Sequence, residues 1–198
     1  MDQKLDTPLL NNIDDALSTA NIELESYLDL LYDENIHHAY SIKQAIINLS
    51  SCMELLIKFR LLEEHWAFLF DDINKAKEHN LDTGNFVSVS FARGIERLHN
   101  LCGIDTSKYF TASQQLQRYR NRIVHFTLCD DFGAILEAVI GGIRDICAFA
   151  SDEILPYIEI DDAVQEIRNE LNKLSTFQKD LQAILADTQS NDLNDSQK

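Results

Sequence analysis

Residues Thr106–Cys129 form a run of 24 positions without Asp or Glu, although about one in five of the other residues is acidic. The run carries five side chains that are cationic or can become so: Lys108, Arg118, Arg120, Arg122 and His125. An imidazole can exchange a proton near neutral pH, and guanidinium groups bind phosphate oxygens and stabilise developing charge. This set is suited either to chemistry on phosphate esters or to a cationic helix face that balances acidic neighbours.

The chemistry predicted by these side chains needs no metal ion. No cluster of carboxylates with the spacing of a Mg²⁺ site accompanies them in the sequence, so we expect neither a metal nor another cofactor. Attack by the 2′-hydroxyl of RNA on the adjacent phosphate requires only acid–base help and neutralisation of phosphate charge. DNA lacks this hydroxyl, so the pattern favours RNA as the substrate.

Helical periodicity decides which of these side chains share a face. The pattern predicts a helix that begins near residue 111 or 113 and ends near residue 127, with one apolar stripe: Leu116, Tyr119, Ile123 and Phe126. At about 100° per residue, His125 lies opposite this stripe, with Arg118 and Arg122 nearby. Arg120 lies about 140° from His125. We therefore expect His125 to face solvent or a second subunit.

Length and composition predict the architecture that holds this helix. The chain has 198 residues, of which 45% are hydrophobic, enough for one core. With only 6 Gly and 2 Pro, it lacks the turn residues of an all-β fold. The sequence therefore predicts an all-α, up-and-down bundle of five or six helices. We expect an N-terminal bundle helix in residues 1–35, a core in 36–155, a long C-terminal helix in 156–187 and a disordered tail in 188–198.

Apolar periodicity also places the other helices. It predicts them at about 9–32, at 36–70 with a kink or break near Glu63, at 91–101 after a loop, at 134–154 and at 160–185. The last has near-heptad spacing, which suits packing on its own subunit or dimerisation. Gly141 and Gly142 fall inside a helical pattern and follow no strand, so they predict a close helix contact rather than a phosphate loop.

Charge and cysteine usage exclude several classes of protein. The formal net charge of −16 disfavours non-specific binding to nucleic acid or to anionic membranes, so any nucleic-acid site must be a local basic patch. The 4 cysteines contain no C-x-x-C pair, which argues against a zinc site or a disulfide framework. The opening MDQKLDTPLL lacks a basic segment before an apolar run. We expect a cytoplasmic protein without a membrane partner.

The sequence Arg120-Asn121-Arg122-Ile123-Val124-His125 resembles the R-x4-6-H motif of the HEPN superfamily, including the polar residue that often follows its Arg. A predicted bundle helix with Glu54–Lys58 and Leu61–Trp66 precedes the motif, and a long helix follows it, as in that family. The resemblance covers about residues 36–155. It implies a HEPN-like bundle and a metal-independent endoribonuclease of a toxin–antitoxin or antiviral defence system. It also implies a homodimer in which Arg and His of two protomers meet.

The resemblance assigns a role to each residue of the motif. Arg120 would bind phosphate and stabilise the transition state, His125 would transfer protons, and Asn121 would orient His125. The predicted contacts to the RNA backbone come from three further cations: Arg118, Arg122 and Lys108. Arg118 also fits the six-residue spacing of the motif, so the identity of the catalytic arginine stays open.

Two other functions stay open. A HEPN-like module without catalysis could hold a nucleotide or a protein on the Arg-rich helix, and the charge of −16 favours this reading because RNA would lack long-range attraction. An acidic helical adaptor with an accidental motif is the third reading. A cognate antitoxin or defence partner fits the family, but Thr127 stands where some members carry the tyrosine that their antitoxin modifies.

Five further residues could belong to a functional site, but we expect simpler roles for them. His37 and His38 have no partner at ligand spacing, so we expect surface histidines rather than a metal site. Arg93, Arg97 and His99 lie on the short helix before the motif. We expect them to be solvated or ion-paired rather than part of a phosphate groove.

Overall fold

The computed structural model describes residues 6–31 and 38–195, and within them it contains seven α-helices and no strand. The predicted all-α fold class is thereby confirmed. The helices are α1 (Asp6–Leu30), α2 (His38–Glu64), α3 (Glu78–Thr83), α4 (Phe91–Asn100), α5 (Ser113–His125), α6 (Phe132–Phe149) and α7 (Asp161–Asp195). An isolated bridge between Phe70 and Ser88 ties the segment after α2 to the segment before α4.

Five long helices enclose one hydrophobic core. α1 packs against α2 and α7, α6 packs between α5 and α7, and α2 contacts both α5 and α6. α2 is apolar on more than one side, which is why it can touch so many neighbours; Ile46, Leu49 and Leu56 on it are fully buried. Each such side chain contributes roughly 1.5–3 kcal/mol by leaving water. The core thus fixes the angle at which α5 and α6 meet α2.

Helix ends follow local signals in most places. α2 ends at Glu64, so the break predicted near Glu63 is confirmed, and the His65 ring accepts a hydrogen bond from the Ala67 amide in the next turn. The Ser90 hydroxyl caps α4 through the Arg93 amide. α7 continues to Asp195, through most of the tail for which disorder was predicted, because no Gly or Pro interrupts residues 161–195.

A buried carboxylate on α6 caps the start of α5. Asp145 is only 2% exposed, and its Oδ2 accepts hydrogen bonds from the amides of Ala112 (2.8 Å) and Ser113 (2.9 Å). Its Oδ1 accepts one from Arg144 Nη2 (3.0 Å). Amides at a helix start have no partner within the helix, and negative charge is favourable there. Asp145 therefore fixes where α5 begins relative to α6.

Two glycines bring α5 and α6 into close contact beside this cap. A Cβ atom at Gly141 would lie 2.5 Å from Cβ of Ala112, and one at Gly142 would overlap Cδ1 of Leu116. The close helix contact predicted for this Gly pair is confirmed. Because only glycine fits there, Leu116 of α5 is held against α6, and the rotation of α5 about its axis is set.

We expect Asp145→Ala to lower the free energy of unfolding by about 2–3 kcal/mol, because it leaves buried amides at the start of α5 without an acceptor. Denaturant titration followed by circular dichroism measures this loss. Arg144→Ala is the matched control: the Arg144 side chain is 62% exposed, so its loss should cost less than about 1 kcal/mol. Equal losses from the two variants would contradict the capping role.

Candidate functional site

The outward face of α5 carries the motif residues. Leu116 and Tyr119 are buried at 1% and 2% exposure, whereas Arg118, Asn121 and His125 are exposed. The prediction that His125 points away from the core is confirmed. A hydrogen bond from the Ser50 hydroxyl to Gln117 holds the other side of α5 against α2.

Arg120 and Asn121 interact with each other. Nη1 of Arg120 donates to Oδ1 of Asn121 over 3.1 Å, and Arg120 is half-buried. In the described residues this bond engages the Asn121 carbonyl oxygen, and no bond links Asn121 to His125. The bond therefore holds the Arg120 guanidinium at Asn121, which lies one turn before His125, and leaves the Asn121 amide nitrogen to donate to another group.

Arg122 holds the loop between α5 and α6 against the end of α5 through hydrogen bonds. Its Nη1 donates to Asp130 Oδ2 (2.8 Å), its Nη2 donates to the Cys129 carbonyl oxygen (2.6 Å), and its guanidinium lies 5.9 Å from the Tyr119 ring centroid. The hydrogen bond from Arg122 holds the pKa of the Asp130 carboxyl below its ordinary value, so this carboxyl is ionised at neutral pH. A phosphate that binds Arg122 must share it with this carboxylate.

The remaining two cations differ in whether a carboxylate already pairs with them. Arg118 is exposed, and among the described residues its guanidinium donates only to Gln115 Oε1 (3.2 Å), so its charge is available to a ligand. Lys108 precedes the start of α5, roughly 20 Å from the end where His125 lies. Its Nζ bonds Asp152 Oδ2 at 2.6 Å, and the Tyr109 hydroxyl donates to the same oxygen. The structure does not bring Lys108 together with the motif.

The end of α5 differs from the sequence-based expectation. Phe126 was predicted in the apolar stripe but is 91% exposed. The helix ends at His125, and Phe126 takes φ −153° and ψ −89°, so helical phase no longer applies to its side chain. Val124 is also half exposed, at 50%. The solvent-exposed ring of Phe126 therefore directly follows the exposed His125 at the end of α5.

The cations of α4 serve the fold around the segment after α2. Arg93 forms an ion pair with Asp71, as the solvated or ion-paired reading predicted. Arg97 is buried at 7% exposure and donates to three backbone carbonyls within 68–71. The His99 ring nitrogen Nδ1 lies 3.3 Å from a carbonyl oxygen of the following turn. These contacts occupy Arg93 and Arg97 away from α5.

Sequence reasoning missed two residues that shape the site. Asp130 is the first acidic residue after the acid-free run, and this position is the only sequence signal for its pairing with Arg122. Asp145 gives no local signal, because it lies 32 positions from the Ser113 amide that it caps. Both contacts depend on tertiary structure: that of Asp130 on the path of the loop, and that of Asp145 on the packing of α5 against α6.

The rest of the described chain offers no second candidate of the metal or membrane-spanning kind. The described part of the chain contains no group of three or more His, Cys, Asp or Glu that could hold a metal ion, and His37 and the His38 side chain lie outside it. No helix of the same part is long and apolar enough to cross a membrane. Comparison with protein-family models, curated proteins and solved structures found no match.

Proposed function

We propose that the protein is a metal-independent endoribonuclease of a toxin–antitoxin or antiviral defence system. One observation carries the proposal: the His125 side chain is exposed at the end of α5, with no hydrogen bond or ion pair to any described residue, and the exposed Arg118 lies on the same face two turns earlier. A histidine with no structural partner, in an acid-free run rich in guanidinium groups, is suited to proton transfer at a phosphate. The resemblance to the HEPN motif supports the same reading.

In the proposed reaction the RNA 2′-oxygen attacks the adjacent phosphorus. The bond between O2′ and phosphorus forms, and the bond between phosphorus and O5′ breaks. A neutral imidazole takes the 2′-hydroxyl proton, and an imidazolium gives a proton to the leaving O5′. Arg120, or Arg118 in its place, stabilises the charge on the non-bridging oxygens. The products carry a 2′,3′-cyclic phosphate and a 5′-hydroxyl.

The proposal includes a homodimer with residues 116–126 in its interface. One imidazole cannot readily act as base and acid in the same cleavage, whereas two symmetry-related copies of His125 can. The exposure of Asn121 and His125 on one face of α5 leaves that face open to a second copy. Light scattering at micromolar concentration should show a dimer, and a strictly monomeric species would contradict the proposal.

The proposal includes a cytoplasmic location, where the protein would meet cellular RNA. A ribonuclease that acts on cellular RNA needs restraint, so the proposal includes a cognate antitoxin or defence partner. Thr127 follows His125 by two positions, where some HEPN toxins carry a modified tyrosine. Restraint by modification of that position is therefore not part of the proposal.

A second candidate function is a non-catalytic module that holds a nucleotide or protein on α5. The observation that favours it is the pairing of two cations expected to contact RNA. Arg122 is bound to Asp130 and Lys108 to Asp152, so less free positive charge faces a long RNA than the sequence suggests. A short ligand with one phosphate would need only Arg118 and Arg120.

The His125→Ala variant separates the two candidates. Because His125 is exposed, its replacement should leave the free energy of unfolding within about 1 kcal/mol of wild type. RNA cleavage should nevertheless fall by about 100-fold or more, the scale for loss of a general acid–base group. Gel analysis of RNA, together with denaturant titration, measures both effects.

His79→Ala is the matched control, since His79 is an exposed histidine on α3, away from α5. It should retain full cleavage. A folded His125→Ala variant that cleaves normally would show the motif to be accidental. An unfolded one would show that His125 is structural.

A further inference from the structure

We infer that Phe126 stacks against an unpaired base of the RNA, so that the site selects single-stranded RNA. The inference rests on the proposed function and names the form of substrate that the same site takes. It concerns a residue outside the R-x4-6-H motif, and it arises from the position of the ring at the end of α5.

The exposure of Phe126 is unusual within this chain. Its side chain is 91% exposed, whereas Phe59, Phe110 and Phe149 are at most 1% exposed. An apolar side chain of this size forgoes roughly 1.5–3 kcal/mol when it stays in water. The fold therefore leaves a large aromatic surface free directly after His125.

The backbone on both sides of Phe126 is anchored. Its own amide donates to the Arg122 carbonyl oxygen at 2.9 Å, which closes the last turn of α5. Further along, the Arg122 guanidinium holds Cys129 and Asp130. A short loop fixed at both ends confines the ring near His125 and lowers the entropy lost when a base stacks on it.

The proposed chemistry requires an unpaired nucleotide at this position. Attack by O2′ needs O2′, phosphorus and O5′ roughly in line, and regular A-form stacking opposes that arrangement. Proteins hold unpaired RNA by stacking bases on aromatic rings while cations bind the backbone. Arg118 supplies such a cation on the same face of α5, two turns before His125. A phosphate placed at His125 would thus have its base beside Phe126.

A second copy of the chain is a less suitable occupant for the ring. One aromatic ring buries only about 150–250 Å², whereas a stable interface needs about 800 Å² per partner. Phe126 alone therefore does not account for the proposed dimer, and its position directly after His125 favours RNA as the occupant of the ring.

Binding of a fluorescent oligouridylate of about ten nucleotides, followed by anisotropy, tests the inference. The measurement uses the full chain with His125→Ala, so that the RNA stays intact. Phe126→Ala and Phe126→Leu should weaken binding by about fivefold or more, whereas Phe126→Tyr should bind within about twofold of the parent. A duplex of the same length should show a smaller effect. Val87→Ala, at a side chain 76% exposed on another loop, should change nothing.

Phe126 variants with unchanged affinity would overturn the inference, as would a leucine variant that binds like the parent. A Phe126→Ala protein that loses its dimer in light scattering would identify the ring as a subunit contact and overturn it too. Failure of the proposed function would give a different experimental result. If wild type binds the oligouridylate through Phe126 but cuts no RNA, the cleavage proposal fails and the stacking site stands.

Discussion

The buried carboxylate of Asp145 is the constraint on which the candidate site depends. It satisfies the first amides of α5, and Gly141 and Gly142 let α5 lie close enough for that bond to form. Since Leu116 then has to face α6, the rotation of α5 is decided. His125, two and a half turns further along, is consequently turned to solvent. A residue that touches nothing in the site thus determines which side chains can meet a ligand.

Ion pairing decides which cations on this acidic chain remain free. The chain carries a formal charge of −16. Two of the cations that were expected to bind phosphate are neutralised by neighbouring carboxylates, Arg122 by Asp130 and Lys108 by Asp152. Arg118 keeps an available charge. Association with RNA would therefore rely on short-range contacts rather than on steering by the whole molecule. The Arg122 pair also has a second use, because it holds the loop that follows Phe126.

Periodic features were predictable from the sequence, whereas partners distant along the chain were not. Apolar steps of three and four residues predicted the long helices and the break near Glu63, and helical phase predicted the exposure of His125. The same arithmetic failed at Phe126, because the helix ended one residue before it and the ring left the stripe. Asp145 and Asp152 gave no signal, since they bond to Ala112 and Lys108, which lie 33 and 44 positions away along the chain. Local rules thus predicted the helices, and tertiary packing determined the site.

The proposed function of α5 is RNA cleavage through the 2′-hydroxyl. Its most direct test incubates the full chain with an RNA oligonucleotide and with DNA of the same sequence, both in EDTA, and identifies the product ends by mass spectrometry. Only the RNA should be cut, and its new ends should carry a 2′,3′-cyclic phosphate or a 3′-phosphate. Cleavage of the DNA, or loss of RNA cleavage on chelation with recovery in Mg²⁺ or Mn²⁺, would contradict this proposal.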